Sequence, residues 1–236
     1  MDLMKYNEKH VTVRDIYGGT QTGVADYYDS WYCLDEFGKA EDAVIVDGLL
    51  LYESQIVSIE EIEVHGTAEL RTERLVLRRY CAEDAASLYR DLGLDPAMFQ
   101  YSGWNPYATP EMARETVRRF MDSYCDEHFY GWVMDYEEVL FGTIGAYNYK
   151  DDRIEVGFSV VRECWGQGFA TEALEKVLEY LTENEGISCV TAWCAAENVG
   201  SKRVLEKAGM KLADIEKGGL VIGDNTYDRL IFEYRR

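Results

Sequence analysis

The run that most constrains this chain is Val160-Val161-Arg162-Glu163-Cys164-Trp165-Gly166-Gln167-Gly168-Phe169-Ala170-Thr171-Glu172-Ala173. Arg153 to Val161 reads as a strand, which feeds a turn holding two glycines. The turn opens a helix from about Gly168 to Thr182, where Leu174, Val177, Leu178 and Leu181 recur at i, i+3, i+4 and i+7. Glycine lets a backbone take turn angles that other residues resist and approach a ligand closely. The first turn of a helix exposes unpaired N–H groups and a partial positive charge, so it can hold a pyrophosphate. Two other phosphate motifs are excluded. The dinucleotide fingerprint needs a third glycine where Thr171 stands, and a P-loop needs a Gly-Lys-Ser/Thr that is absent.

The texture of the chain changes at His65-Gly66-Thr67-Ala68. Before it, strands are expected at His10 to Ile16, Thr20 to Tyr28, Ala43 to Val46, Leu49 to Tyr52 and Val57 to Ile62. Asp47-Gly48 is a two-residue hairpin signal. Five short strands in so few residues read as a small all-β barrel or curled sheet over residues 1–66. The acidic, aromatic stretch Asp26 to Asp42 reads as a long loop. After the link, residues 69–236 mix strands and helices. A strand at Arg74 to Arg79 and a helix at Ala82 to Leu92 come first, and Thr109-Pro110-Glu111 then starts a second helix. Strands follow at Phe129 to Asp135, Val139 to Tyr149 and Arg153 to Val161. Beyond the glycine turn come a strand at Val190 to Cys194, a helix at Ser201 to Ala208 closed by Gly209, and a final antiparallel pair. This order predicts an α+β fold of the mixed α/β kind, with a central mixed sheet flanked by helices.

Composition narrows the function. The 236 residues, 47% of them hydrophobic, suit a medium domain plus a small one. A net charge of −20 repels phosphate backbones, so no nucleic-acid partner is expected and a cationic amine is mildly favoured. The six cysteines form no C-x-x-C pair and the three histidines are scattered, so no metal site is expected. Without an apolar leader or a long apolar run, no membrane association is expected and the cytoplasm is the default location.

Several separated motifs resemble the GNAT superfamily of N-acetyltransferases, in the branch of the ribosomal-protein N-terminal acetyltransferases RimJ and RimL. They are Thr72-Glu73-Arg74-Leu75-Val76-Leu77-Arg78, the run Trp165 to Ala173, Asn198 with Ser201, Leu205-Glu206-Lys207-Ala208-Gly209-Met210, and Asp228. The resemblance covers about residues 70–236. One departure is Glu163, where the wider family carries Gln or Arg as a phosphate partner. Residues 1–66 resemble, by strand spacing and the ending Tyr52-Glu53-Ser54-Gln55-Ile56, the Sm-like or SH3-like barrels joined to some bacterial enzymes. With Lys5, Lys9, Arg14 and Lys39 set against many carboxylates, RNA binding is not carried over, and docking or homodimerisation is the role expected.

The resemblance implies acetyl-CoA as cosubstrate, without a metal, and direct attack by a primary amine of a peptide N-terminus or a small molecule. It implies that Val160 and Val161 offer backbone N–H groups to the acetyl and pantetheine arm. Trp165, Gly166, Gln167, Gly168, Phe169, Ala170 and Thr171 would cradle the pyrophosphate, and Asn198 would bond the pantetheine. Ser201 is either the proton donor to the leaving thiolate or the N-cap of its helix. Glu155 is either the general base or an exposed strand carboxylate. Tyr227 is a second acid or base candidate, or packing. Trp104 is either an acceptor-pocket wall or a core residue. Glu172 serves the substrate or, more simply, the helix end. Cys164 abuts the turn, but no histidine lies near it in sequence, which argues against a covalent route. A domain that holds acetyl-CoA without catalysis, as a sensor or interaction module, is the alternative to an enzyme.

Overall fold

The computed structural model describes residues 1–64, 66–102 and 104–235. The chain folds into two compact units, Met1–His65 with Arg119–Glu127 and Gly66–Arg118 with His128–Arg236.

In the first unit, β1 (His10–Asp15), β2 (Thr20–Tyr28), β3 (Ala43–Val46), β4 (Leu49–Tyr52) and β5 (Ile56–Glu61) form an antiparallel sheet in the order β4-β3-β2-β1-β5. Alternation puts Val11, Val13, Ala25, Val44, Val46, Leu51, Ile56 and Ile59 into one core with Leu3. Asp47 and Gly48 both take positive φ, 50° and 74°, as the tight β3–β4 hairpin requires. Of the two forms expected from strand spacing, barrel or curled sheet, the closed barrel is not found. β4 ends after four residues and a single 3-10 turn, Glu53–Gln55, leads to β5, which pairs with β1 at the other edge of the sheet. The expected loop from Asp26 to Asp42 is also corrected. It contains the last residues of β2 and a helix, α1 (Ser30–Phe37). Asp29 caps that helix by accepting the Tyr32 N–H at 2.8 Å, and Gly38 ends it at φ 75°. The Asp122 carboxylate accepts the Val24 N–H at 3.1 Å, and the His10 ring meets the Met121 carbonyl oxygen.

The second unit is built on an eight-stranded sheet. Its strands are β6 (Leu70–Arg71), β7 (Leu75–Arg78), β8 (Tyr130–Tyr136), β9 (Val139–Lys150), β10 (Arg153–Val160), β11 (Cys189–Ala195), β12 (Lys211–Ile222) and β13 (Asn225–Arg235). They lie in the order β12-β13-β11-β10-β9-β8-β7-β6, and only β10 with β11 runs parallel. This is the mixed α+β arrangement expected. The helices are α2 (Asp84–Leu88), which runs on into a π turn at Tyr89–Gly93, α3 (Pro110–Asp122), α4 (Phe169–Glu183) and α5 (Val199–Lys207). The apolar stripe of α4 is buried as its spacing predicts, with Leu174, Val177, Leu178 and Leu181 at 0–1% exposure.

β10 parts from β11 early. Their pairing covers Arg153, Ile154 and Glu155 against Cys189, Val190 and Thr191, whereas β10 continues to Val160 and β11 to Ala195. Each arm is held from outside. β9 pairs β10 as far as Gly142 with Val160, and β13 pairs β11 as far as Arg229 with Ala195. A wedge therefore opens toward the carboxyl ends of the parallel pair, where open sheets bind ligands. Gly142 is central to the β9 arm. A Cβ there would meet the Ser159 carbonyl oxygen and lie 2.7 Å from Met134 Cε. Gly142→Ala is expected to cost about 1–3 kcal/mol through overpacking. Urea denaturation of the variant checks this.

Candidate active site

The two helices that follow the parallel strands both begin at the open end of the wedge. α4 follows β10 through the turn Arg162 to Gly168, and α5 follows β11. Gly166 and Gly168 take φ of 75° and 84°, which glycine adopts without strain, and a Cβ at Gly166 would meet nothing within 4 Å. The first turn of α4, which follows, has N–H groups without partners inside its helix. Beside it lies an open recess of about 370 Å³ lined by Glu73, Gly168, Thr171, Glu172, Glu175 and Lys207.

The turn is held by groups outside the expected set. The Arg74 guanidinium donates from Nη1 to the Gln167 carbonyl oxygen at 3.2 Å and from Nε to Glu172 at 2.7 Å, and it lies 4.4 Å from the centre of the Phe169 ring. Glu172 also accepts from the Thr72 hydroxyl at 2.5 Å and from the Arg74 N–H at 3.1 Å. Burial pushes the Glu172 carboxyl up, but the bonds from Thr72 and Arg74, with the Arg74 charge, outweigh it and hold the group below the ordinary value. Glu172 is thus tied to the segment leading into β7. The Trp165 indole N–H donates to the Val160 carbonyl oxygen at 2.7 Å, and the Gln167 amide donates to that of Glu163 at 2.8 Å. Phe169 is a core residue, 4% exposed, its ring tilted against those of Tyr136 and Phe141, so what it can offer a ligand is its backbone. Ala170 and Thr171 follow it in the first turn of α4.

Of the two valines, Val161 has its N–H bonded to the Phe141 carbonyl oxygen at 2.8 Å. Backbone groups alternate sides along an antiparallel strand, so the Val160 N–H points away from β9, toward the wedge. Asn198 is the N-cap of α5, its Oδ1 accepting the Ser201 N–H at 3.1 Å. Ser201 is therefore inside the helix and is not its cap.

Glu155 stands at the last pair before the strands diverge, opposite Tyr147 on β9 and Thr191 on β11. The Trp193 indole N–H donates to its Oε1 at 3.2 Å, so it is not a free surface carboxylate. Tyr227 lies beyond the β11–β13 pairing, at the open end of the wedge, and its ring meets that of Tyr101 edge-on at 5.6 Å. Trp104, three residues from Tyr101, is 58% exposed and so is not a core tryptophan. Its neighbour Gly103 lies outside the described residues. Asp95 grips Arg162 with two bonds, at 2.9 and 2.6 Å, which ties the segment leading to Tyr101 to the turn after β10. Burial, then the charge of Glu163, raises the Cys164 thiol above its ordinary value and disfavours a thiolate nucleophile there. Asp228 takes the Lys217 ammonium at 2.6 Å and the Gly218 N–H at 2.9 Å, a role within the β12–β13 hairpin.

A parallel strand pair that splays over a glycine turn, with a helix opening from each strand, defines a site for an extended phosphate-bearing cosubstrate. The family comparisons agree. Residues 74–211 match the family model described as acetyltransferase (GNAT) domain. The chain is 28% identical over 167 residues to the uncharacterized N-acetyltransferase YoaA of Bacillus subtilis (strain 168), covering 69% of this chain and 94% of that one. It is 31% identical over 176 residues to the uncharacterized N-acetyltransferase p20 of Bacillus licheniformis, covering 70% and 97%. Among solved structures, a GNAT-family acetyltransferase from Bacillus anthracis matches with a TM-score of 0.64 at 23% identity, over 71% of this chain and 98% of that one. RimL, a ribosomal L7/L12 alpha-N-protein acetyltransferase in complex with coenzyme A, matches with a TM-score of 0.67 at 15% identity, over 71% and 98%. The chain belongs to the GNAT acetyltransferase family. It is an acyltransferase, an N-acetyltransferase dependent on acetyl-CoA.

Because the Glu172 carboxyl is depressed in the folded protein, its stabilisation is present above the unfolded glutamate value and is lost as pH falls through the folded one. The gap in Tm between the wild type and Glu172→Gln is therefore expected to stay constant between about pH 6 and 8 and to narrow below about pH 4.3. Thermal denaturation across pH checks this.

Proposed function

We propose that this chain transfers the acetyl group of acetyl-CoA to a primary amine, either a peptide N-terminus or a small-molecule amine, by direct attack in a ternary complex. The observation that carries this reading is the placement of Glu155 at the apex of the wedge between β10 and β11, with the α4 turn at its open end.

The turn Gly166 to Thr171 holds the pyrophosphate through backbone N–H groups, the Trp165 N–H being already bonded to the Arg162 carbonyl oxygen. The absence of a cationic side chain at Glu163 leaves this backbone role intact, because Gly166 and Gly168 keep the turn open. The Val160 N–H supports the acetyl end of the arm, and the Asn198 amide bonds the pantetheine while its oxygen caps α5. Glu155 takes a proton from the incoming ammonium, since only the neutral amine has a lone pair to attack with. The nitrogen then bonds to the thioester carbonyl carbon and loses its second proton to solvent, as Glu155 loses the first; the C–S bond breaks, and the Ser201 hydroxyl gives its proton to the departing thiolate and recovers one from solvent. Tyr227, at the same end of the wedge, is the second candidate for that proton. The exposed Trp104 ring forms part of the acceptor wall. Most of the acceleration in such a site comes from positioning two bound reactants. RimL, of like fold, is an alpha-N-protein acetyltransferase, which favours including peptide N-termini among the acceptors tried.

The test is thiol release from acetyl-CoA with a panel of amines and short peptides. At least one acceptor is expected to raise release well above the solvent rate. Glu155→Gln and Ser201→Ala are each expected to lower kcat by about 10²–10⁴. Tight coenzyme binding with no amine-dependent release across the panel would favour a non-catalytic sensor instead.

A further inference from the structure

We infer that Tyr147 is a positioning residue for Glu155, and that residue 157 is a glycine because the Tyr147 phenol fills the place its side chain would take. This rests on the assignment of Glu155 as the base.

The geometry starts with register. Tyr147 on β9 lies directly opposite Glu155 on β10, and Gly145 lies opposite Gly157. Side chains alternate along a strand, so Tyr147, Glu155 and Gly157 share one face. Ile154 and Val156, at 1% and 3% exposure, belong to the other. A Cβ built on Gly157 would lie 2.6 Å from the Tyr147 hydroxyl oxygen and 3.5 Å from its ring carbons Cε1 and Cζ. The phenol therefore lies diagonally over Gly157, beyond the last β10–β11 pair, where the wedge has opened. Gly157 has no positive φ to explain it. Its smallness is explained by the close approach of the ring.

Glu155 is thus approached from both sides. The Trp193 indole N–H reaches it from β11 at 3.2 Å. Tyr147 stands directly across from it on β9, with its hydroxyl over the neighbouring Gly157. Burial, then the Glu155 charge, raise the phenol above its ordinary value, so it stays protonated and able to donate. An ionised carboxylate can accept about four hydrogen bonds. One is met by the Trp193 indole, and the Tyr147 phenol, directly across the β9–β10 ladder, is placed to meet a second, which leaves the remaining sites for an ammonium entering the wedge. A base held in this way spends no time in other rotamers, which is how a residue that never touches the substrate changes the rate.

The experiment is a double-mutant cycle on full-length protein, with amine-dependent thiol release as one readout and calorimetric binding of acetyl-CoA as the other. Tyr147→Phe keeps the ring and removes the donor. It is expected to lower kcat about tenfold while leaving acetyl-CoA binding unchanged. In a Glu155→Gln background the same change is expected to have little further effect, because the carboxylate it positions is gone. Gly157→Ala, which displaces the phenol, is expected to slow the enzyme as Tyr147→Phe does, and the two together no more than either alone. A Tyr147→Phe loss of equal size in both backgrounds would show a general packing role and overturn the inference, as would no loss in the wild type. If Glu155→Gln itself leaves kcat unchanged, the base assignment falls, and this inference with it.

Discussion

The parallel ladder between β10 and β11 covers only Arg153 to Glu155 on one strand and Cys189 to Thr191 on the other, and the rest of the site depends on where it stops. Had it continued, the amides of Val160 and its neighbours would be spent within the sheet. Beyond that point each strand is paired on its outer side alone. β10 follows β9 to Gly142, where a side chain would crowd the Ser159 carbonyl, and β11 follows β13 to Arg229. The base of the wedge is closed by ion pairing, with Arg153 reaching Glu233 on β13 at 2.5 Å. Its inner face is crossed by the Trp193-to-Glu155 bond.

A gap in a sheet is of no use unless its rim is fixed. The turn that opens α4 would be loose on its glycines alone, because glycine has the most conformational freedom to lose. Thr72 and Arg74, from the segment leading into β7, hold it through Glu172, a residue of the helix itself. The same guanidinium lies on Phe169 and bonds the Gln167 carbonyl. Two of the sequence motifs, Thr72 to Arg78 and Trp165 to Ala173, are therefore one physical device. Asp95 does a similar service through Arg162 for the segment that carries Tyr101 and Trp104.

The elements that could be read from the sequence were those with a strong period or strong turn chemistry. The α4 stripe from Leu174 to Leu181, the Asp47-Gly48 hairpin and the strand-turn-helix at Gly166 and Gly168 follow from local rules, and they formed as local rules require. The helix at Ser30–Phe37 was hidden because Asp and aromatic residues read as loop, while its Asp29 cap and Gly38 stop were the available signal. Closure of the small sheet would need β5 to pair with β4, its neighbour in sequence; β5 pairs with the distant β1 instead, a choice that strand spacing does not encode. In the site, Ser201 stands three residues beyond the true cap of α5 at Asn198, and a Ser before an apolar run is an equally good cap signal. The partners of Glu155 were invisible, since Tyr147 and Trp193 come from strands whose register no single sequence fixes. Gly157 was the one clue, a glycine inside a strand with no turn to explain it.

Everything else depends on coenzyme entering the wedge and being gripped by main-chain amides at its rim. Hydrogen exchange followed residue by residue, with and without acetyl-CoA, measures this directly. New protection is predicted at Val160 and through Gly166 to Thr171, with little change at Val161, whose N–H is already bonded to Phe141. Saturating coenzyme that left the amides of that turn exchanging as before, or protected a different face of the sheet, would contradict it.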